Sequence, residues 1–275
     1  MPFCKVKNAT IYYEDVGVGK PIIMLHGFSL DHRLMSGCME PIFQKREGWR
    51  RIYIDLPGMG QSRDYEQIHN SDEMLEAIIS FIEALIPNQS YIIVGESYGG
   101  YLAQGVIRSQ KEKLLGAAFI CPMILPNKED RTVPQQTIVY SGNEFLAQLT
   151  KEEVDSFSAN QVVLDKYNWE RYKNEVLAGA QLADDEFLTK IQNNYGFSFN
   201  LKDFQFHSPS LFLLGKQDAV VGYQDAFNTL AQFSRSTFAV LDRAGHNLQI
   251  EQPQLFNALI DEWLDRVEES NEKDV

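Results

Sequence analysis

With 275 residues, 44% of them hydrophobic and 23% charged, the chain has the make-up of a soluble globular protein: one large domain, or one domain with an insertion. Its net charge of −13, from 38 acidic and 25 basic residues, argues against nucleic acid or another polyanion as partner, and no local basic cluster reverses this. Cys4, Cys38 and Cys121 are too far apart for a disulfide framework or a metal-ligand pattern and read as reduced thiols of a cytoplasmic protein. No apolar run approaches the roughly 18 residues of a membrane span, and the first residues are too polar for a signal peptide.

Along the chain, residues 3–16 read as a hairpin turning near Asn8, followed by a short buried strand, Ile22–Leu25. A second buried strand, Arg51–Ile54, ends at Asp55. Met74, Leu75, Ile78, Ile79, Ile82 and Leu85 fall on one face of a helix whose N-cap is read as Ser71. Tyr91–Val94 is an apolar strand, and Tyr101, Leu102, Val106 and Ile107 have the spacing of a helix. Between them lies Gly95-Glu-Ser-Tyr-Gly99. A strand running into this pentapeptide and out into a helix puts Ser97 on a sharp bend with its hydroxyl clear of the sheet, and the flanking glycines leave room for that bend. The pentapeptide alone arises by chance in roughly one chain in ten of this length, so its context and partners decide its meaning.

Strands at Leu115–Ile120, Leu211–Leu214 and Thr237–Leu241, a helix after Gly222, and a last helix carrying Phe256, Leu259, Ile260, Trp263, Leu264 and Val267 complete the pattern. Short buried strands alternating with amphipathic helices imply a mostly parallel sheet covered on both faces, an α/β fold. The alternation stops in residues 122–207, which read as an all-helical insertion between core segments 1–121 and 208–275. Thr150 and Glu153 form a capping box there, Asp184 starts a helix, and Gly179 and Gly196 read as helix stops. Most of the insertion's nine clustered aromatics, from Phe145 to Phe199, are expected to form its own core, with some facing the rest of the protein.

A serine hydroxyl needs a base, and the base needs an orienting acid. In a parallel sheet such groups belong just past the C-terminal strand ends. Asp218 follows the strand Leu211–Leu214 and His246 follows Thr237–Leu241, so Ser97, Asp218 and His246 each stand on a strand-end loop, in the chain order of a nucleophile-elbow hydrolase. Asp242 is a weaker alternative acid, and His26 precedes the serine. His69 and His207 lie in polar linkers, and Asp55 reads as a structural carboxylate tying down loop amides. Oxyanion donors would be the backbone N–H groups of Tyr98, opening the helix, and of Phe28, after the sharp turn at His26-Gly27.

These segments, His26-Gly-Phe28, the Asp55 loop, Gly95-Glu-Ser-Tyr-Gly99, Gly215-Lys-Gln-Asp218 and Gly245-His246, together resemble the α/β-hydrolase family over residues 20–121 and 208–268. The resemblance implies an α/β-hydrolase fold: an eight-stranded sheet with one antiparallel strand, a helical cap, and a substrate pocket between them. A serine at residue 97 points away from the haloalkane dehalogenases and epoxide hydrolases of that family, which carry aspartate there, and towards acyl transfer to water without metal or organic cofactor. A carboxylic ester with an apolar or aromatic group is the default small-molecule substrate. Alternatives are a C–C bond hydrolase of vinylogous diketones, with Arg33 or Arg131 holding the substrate carboxylate, and a proline iminopeptidase, with Glu144, Glu152 or Glu153 holding an amino terminus. A perhydrolase would use the same triad, and a ligand receptor on a hydrolase fold would not use it at all. His32 is a further candidate for the pocket wall, and an apolar cap surface would allow a homodimer.

Overall fold

The computed structural model describes residues 2–272. Eight strands form one sheet: β1 (Phe3–Lys5), β2 (Thr10–Val16), β3 (Lys20–Leu25), β4 (Trp49–Ile54), β5 (Tyr91–Glu96), β6 (Leu114–Ile120), β7 (Ser210–Gly215) and β8 (Ser236–Leu241). Their spatial order is β1-β2-β4-β3-β5-β6-β7-β8. β2 runs antiparallel to both its neighbours, and every other adjacent pair is parallel. The expected α/β-hydrolase sheet with a single antiparallel strand is therefore present.

Central strands β3, β5 and β7 are buried almost end to end, because helices cover both faces and leave no side for water. On one face α1 (His32–Phe43) packs against α4 (Pro253–Glu272), and on the other α2 (Ser71–Leu85) packs against α3 (Tyr98–Gln110). α4 buries Phe256, Ile260, Trp263, Leu264 and Val267 completely, each contributing roughly 1.5–3 kcal/mol. The Trp263 indole N–H donates to Pro209 O at 2.9 Å, so the largest of them also meets its polar requirement. The cap of α2 is one residue earlier than expected. Asn70 accepts the Glu73 amide at 2.9 Å, whereas the Ser71 hydroxyl lies within hydrogen-bond distance of the Tyr98 hydroxyl and donates to Tyr195 O, both at 2.8 Å.

Residues 122–207 add no strand to the sheet and fold mainly as short helices, among them Lys151–Asn160 and Asp185–Gln192. Thr150 and Glu153 make the expected capping box, and Asp184 caps the helix it precedes. Three readings of this segment need correction. A two-residue parallel ladder, Tyr140-Ser141 on Val163-Leu164, interrupts the helices. Gly179 lies inside a helical turn, where its missing side chain admits Leu30 and the Asp31 amide, and the helix before Gly196 already ends at Gln192. The aromatics do not mostly pack among themselves. Phe145, Phe157, Trp169 and Tyr172 share a small cluster with Leu34 and Ile250, while Phe187, Tyr195, Phe197 and Phe199 join the main core. Tyr195 stacks on Tyr98, with ring centroids 4.7 Å apart, and Phe197 on Tyr101 at 4.3 Å. Such short elements cannot enclose nine aromatic rings, so Tyr195, Phe197 and Phe199 lie against α3 and Phe187 against Tyr65.

Candidate active site

β5 ends at Glu96 and α3 begins at Tyr98, leaving Ser97 alone to turn the chain. Its backbone takes φ 50°, ψ −115°, a conformation costly for any residue with a side chain and characteristic of functional turns. The turn is possible because its flanks are bare. A Cβ on Gly95 would lie 2.4 Å from Gly99 O, and one on Gly99 would lie 2.4 Å from Leu25 O. Ser97 N donates to Ile120 O at 3.0 Å and Ser97 O accepts from Met123 N at 2.9 Å, so β6 holds the turn from the side.

The three groups that the strand-end argument selected come together. His246 Nε2 is 3.0 Å from Ser97 Oγ, and His246 Nδ1 is 2.9 Å from Asp218 Oδ2. The other Asp218 oxygen accepts the Val220 and Val221 amides at 2.8 and 3.1 Å, which fixes the carboxylate's orientation. Burial works to raise the Asp218 pKa, but His246 and those two amides outweigh it and hold it below the usual carboxylate range. For His246, burial favours the neutral ring, yet Asp218 above all, with Glu96, pushes the imidazole up to about 9. The alternative acid Asp242 is exposed and pairs with Lys216 at 3.2 Å.

Tyr98 opens α3, so its N–H is one of the first-turn donors that a helix leaves free. Phe28 stands across from it, the two rings meeting edge to face at 5.3 Å. A cavity of about 410 Å³ opens above these residues, lined by Phe28, Ser97 and His246 and, from residues 122–207, by Met123, Tyr172, Val176 and Tyr195. Its wall is thus more aliphatic and polar than the aromatic content of the insertion implies. Arg131 also lines it. Its guanidinium donates to Leu125 O, Pro126 O and Val220 O at 2.8, 2.9 and 3.1 Å. Among the described residues no carboxylate lies within ion-pair distance of Arg131.

His32 does not line this cavity, which corrects the expectation for it. Asp55 Oδ1 takes both its Nδ1, at 2.7 Å, and its backbone amide, at 2.8 Å, and draws the ring into the core beside α1. Asp55 Oδ2 accepts the Gln61 amide at 2.8 Å, the structural part read for it. His26 is fully buried and accepts the Leu56 amide on Nε2 at 2.9 Å. Arg33 is held by the Asp31 carboxylate and by Ala178 O at 2.8 Å. His69 and His207 are exposed. Among the described residues two donor groups have metal-like spacing, Cys121-Asp218-His246 and Asp31-His32-Asp55. In each the imidazole and carboxylates already serve one another or nearby amides and Arg33, an arrangement suited to hydrogen bonding.

Two residues were missed from the sequence. Glu96 lies fully buried beside Ser97 and lines the cavity. Its signal was available, since a charge ends an otherwise apolar strand. Glu251 is buried beneath the His246 loop and left no signal in the pattern of its helix.

Comparison with known proteins agrees with this architecture. A crystal structure of an alpha/beta superfamily hydrolase from Oenococcus oeni PSU-1 is 33% identical, with a TM-score of 0.88, and the match covers 98% of this chain and 100% of that one. The AB hydrolase superfamily protein YisY of Bacillus subtilis (strain 168) is 23% identical over 92% of this chain and 95% of its own. An esterase, EaEST from Exiguobacterium antarcticum, shares the fold with a TM-score of 0.68 at 18% identity, over 94% of this chain and 96% of that one. Residues 20–253 match the model of the alpha/beta hydrolase fold family, and the chain belongs to that family.

Proposed function

We propose that the protein is a serine hydrolase that cleaves a small to medium carboxylic ester through an acyl-enzyme. Ser97 Oγ attacks the carbonyl carbon while His246 Nε2 takes its proton, and Asp218 holds the imidazole and balances the imidazolium. The N–H groups of Phe28 and Tyr98 receive the oxyanion. His246 then returns the proton to the departing alkoxide, and a water activated by the same nitrogen releases the acid. The reaction so written draws on no metal or organic cofactor. Residues 122–207 act as a cap that supplies the far wall of the pocket.

The observation that carries this reading is the unbroken contact from Asp218 through His246 to Ser97, at 2.9 and 3.0 Å. Membership of the family and likeness in fold to an esterase are consistent with it. The apolar part of the cavity's lining, Phe28, Leu30, Met123, Val176 and Leu177 among it, favours an apolar acyl or alcohol group. A second reading, hydrolysis of a C–C bond in a vinylogous diketone, is favoured by Arg131, a cation in the pocket wall with no carboxylate within ion-pair distance among the described residues. Ser97→Ala tests the core of the proposal. Turnover of p-nitrophenyl esters should fall by about 10⁴-fold or more, and a fluorophosphonate should label the parent protein at Ser97 and leave the variant unlabelled. A parent protein that is not labelled would instead point to a binding protein on a hydrolase fold.

A further inference from the structure

Glu96 is 1% exposed, and neither of its carboxyl oxygens has a hydrogen-bond partner among the described residues. A buried carboxyl left this way costs several kcal/mol unless something nearby compensates for it. Its Oε1 lies 3.5 Å from His246 Nε2, on the side of the ring opposite Asp218. The space it occupies is kept open by Gly27, since a Cβ there would come within 2.1 Å of Glu96 Oε2. His246 thus stands between two buried carboxyl groups, one at each ring nitrogen, and only one of them belongs to the proposed triad.

We propose that Glu96 is a second carboxylate of His246, facing Nε2 as Asp218 faces Nδ1, and that it sets the pH at which the imidazole becomes available as a base. This rests on the reading of His246 as the base for Ser97. When Glu96 is ionised, the Nε2–H of the imidazolium has Ser97 Oγ and Glu96 Oε1 before it, and the added negative charge holds the proton on the ring. Removing that charge releases the proton at lower pH.

Few other groups near Glu96 bear on this balance. From the loop after β7 comes Asp218, a like charge, and from the loop after β3 the Gly27 amide, which favours ionisation of Glu96 although it falls short of hydrogen-bond geometry. Cys121 at the end of β6, Cys38 on α1 and Tyr195 from the insertion are all held neutral by burial. Arg131, a cation, opposes the proton on His246. Burial pushes the Glu96 carboxyl up to about 7, with His246 working against it, so the two groups titrate as a pair.

The test is the pH dependence of Ser97 phosphonylation by a fluorophosphonate, which needs no knowledge of the substrate. Glu96→Gln keeps the shape and removes the charge, and Glu96→Ala removes both and guards against an effect of the new amide. Each should move the ascending limb of the rate to lower pH, by roughly 1–3 units. Asp242→Asn, which removes an exposed carboxylate paired with Lys216, should leave the limb in place. A limb unmoved or displaced upward in both Glu96 variants would overturn the proposal, as would an equal shift in Asp242→Asn. A merely structural role for Glu96 would lower the rate at every pH without moving the limb. If the parent protein were not labelled at Ser97 at all, the triad reading itself would fall, an outcome distinct from an unmoved limb.

Discussion

Glu251 accepts the Gly245 amide on Oε2 at 2.6 Å, and on Oε1 the Val162 amide at 2.5 Å. A single buried carboxyl therefore ties the residue before His246 to the segment that walls the pocket. Its removal in Glu251→Ala leaves two buried N–H groups without an acceptor, at about 1–3 kcal/mol each. Urea denaturation should report a loss of about 2–5 kcal/mol. Turnover should drop further than that of a comparably destabilised core variant, because the loop carrying His246 loses its tether.

Stability should also depend on pH through this carboxyl. Burial pushes Glu251 up to about 7 in spite of the amides it accepts. An acid whose folded pKa is raised adds stability below its unfolded pKa of about 4.3 and loses it as pH rises through the folded value. Burial opposes the proton on His246 but Asp218 and Glu96 prevail and hold it up to about 9, so its contribution is present below about 6.5 and fades as pH rises to about 9. Both signs agree. The melting temperature should decline from pH 5 to pH 9 across these windows, and Glu251→Gln should flatten the portion between pH 4.5 and 7. A melting temperature that rose over that range would contradict these assignments.

The bend at Ser97 should not tolerate a methyl group at Gly95. The added Cβ would meet Gly99 O at 2.4 Å, a backbone atom held in the first turn of α3. Overpacking of this kind costs about 1–3 kcal/mol. Gly95→Ala should lower the melting temperature and, by moving Ser97 relative to His246, slow fluorophosphonate labelling by more than tenfold. Labelling at the parent rate would show that the elbow can relax without consequence.

Arg131 separates the two readings of the substrate. Its guanidinium is positioned by backbone carbonyls and carries no carboxylate partner among the described residues. A charge-assisted hydrogen bond to a substrate carboxylate is worth about 1.5–3 kcal/mol, or roughly 10–100-fold. If the pocket takes anionic substrates, Arg131→Gln should raise KM for an ester or diketone bearing a carboxylate by that factor while leaving neutral esters nearly unchanged. Equal effects on both would assign Arg131 to tethering the loop after β6.

Much of this was legible in the sequence because it is local. A run of β-branched residues closed by Gly95-Glu-Ser-Tyr-Gly99 specifies strand, turn and helix through backbone sterics alone, and the helix periodicity of α2 and α4 specifies which side is buried. Even Asp218 and His246 were reachable, since a parallel sheet brings the C-terminal ends of its strands to one edge whatever their separation in the chain. His32 was misplaced because its position depends on a contact with Asp55, 23 residues away, and nothing in the surrounding pattern encodes that partner.

The residues 122–207 resisted the same reading for a related reason. Their aromatics have no long amphipathic helix to order them, so which rings pack together and which fill the groove beside α3 is decided by the shape of the surface they land on. The sequence by itself determined the sheet, the elbow at Ser97 and the order of its partners, all of which follow from short-range periodicity and chain direction. Only the tertiary structure decided that Glu96 faces His246 and that Glu251 holds its loop. Burial and distance turn these two carboxyl groups from ordinary acidic residues into neighbours of His246 and its loop, and neither quantity exists until the strands have met.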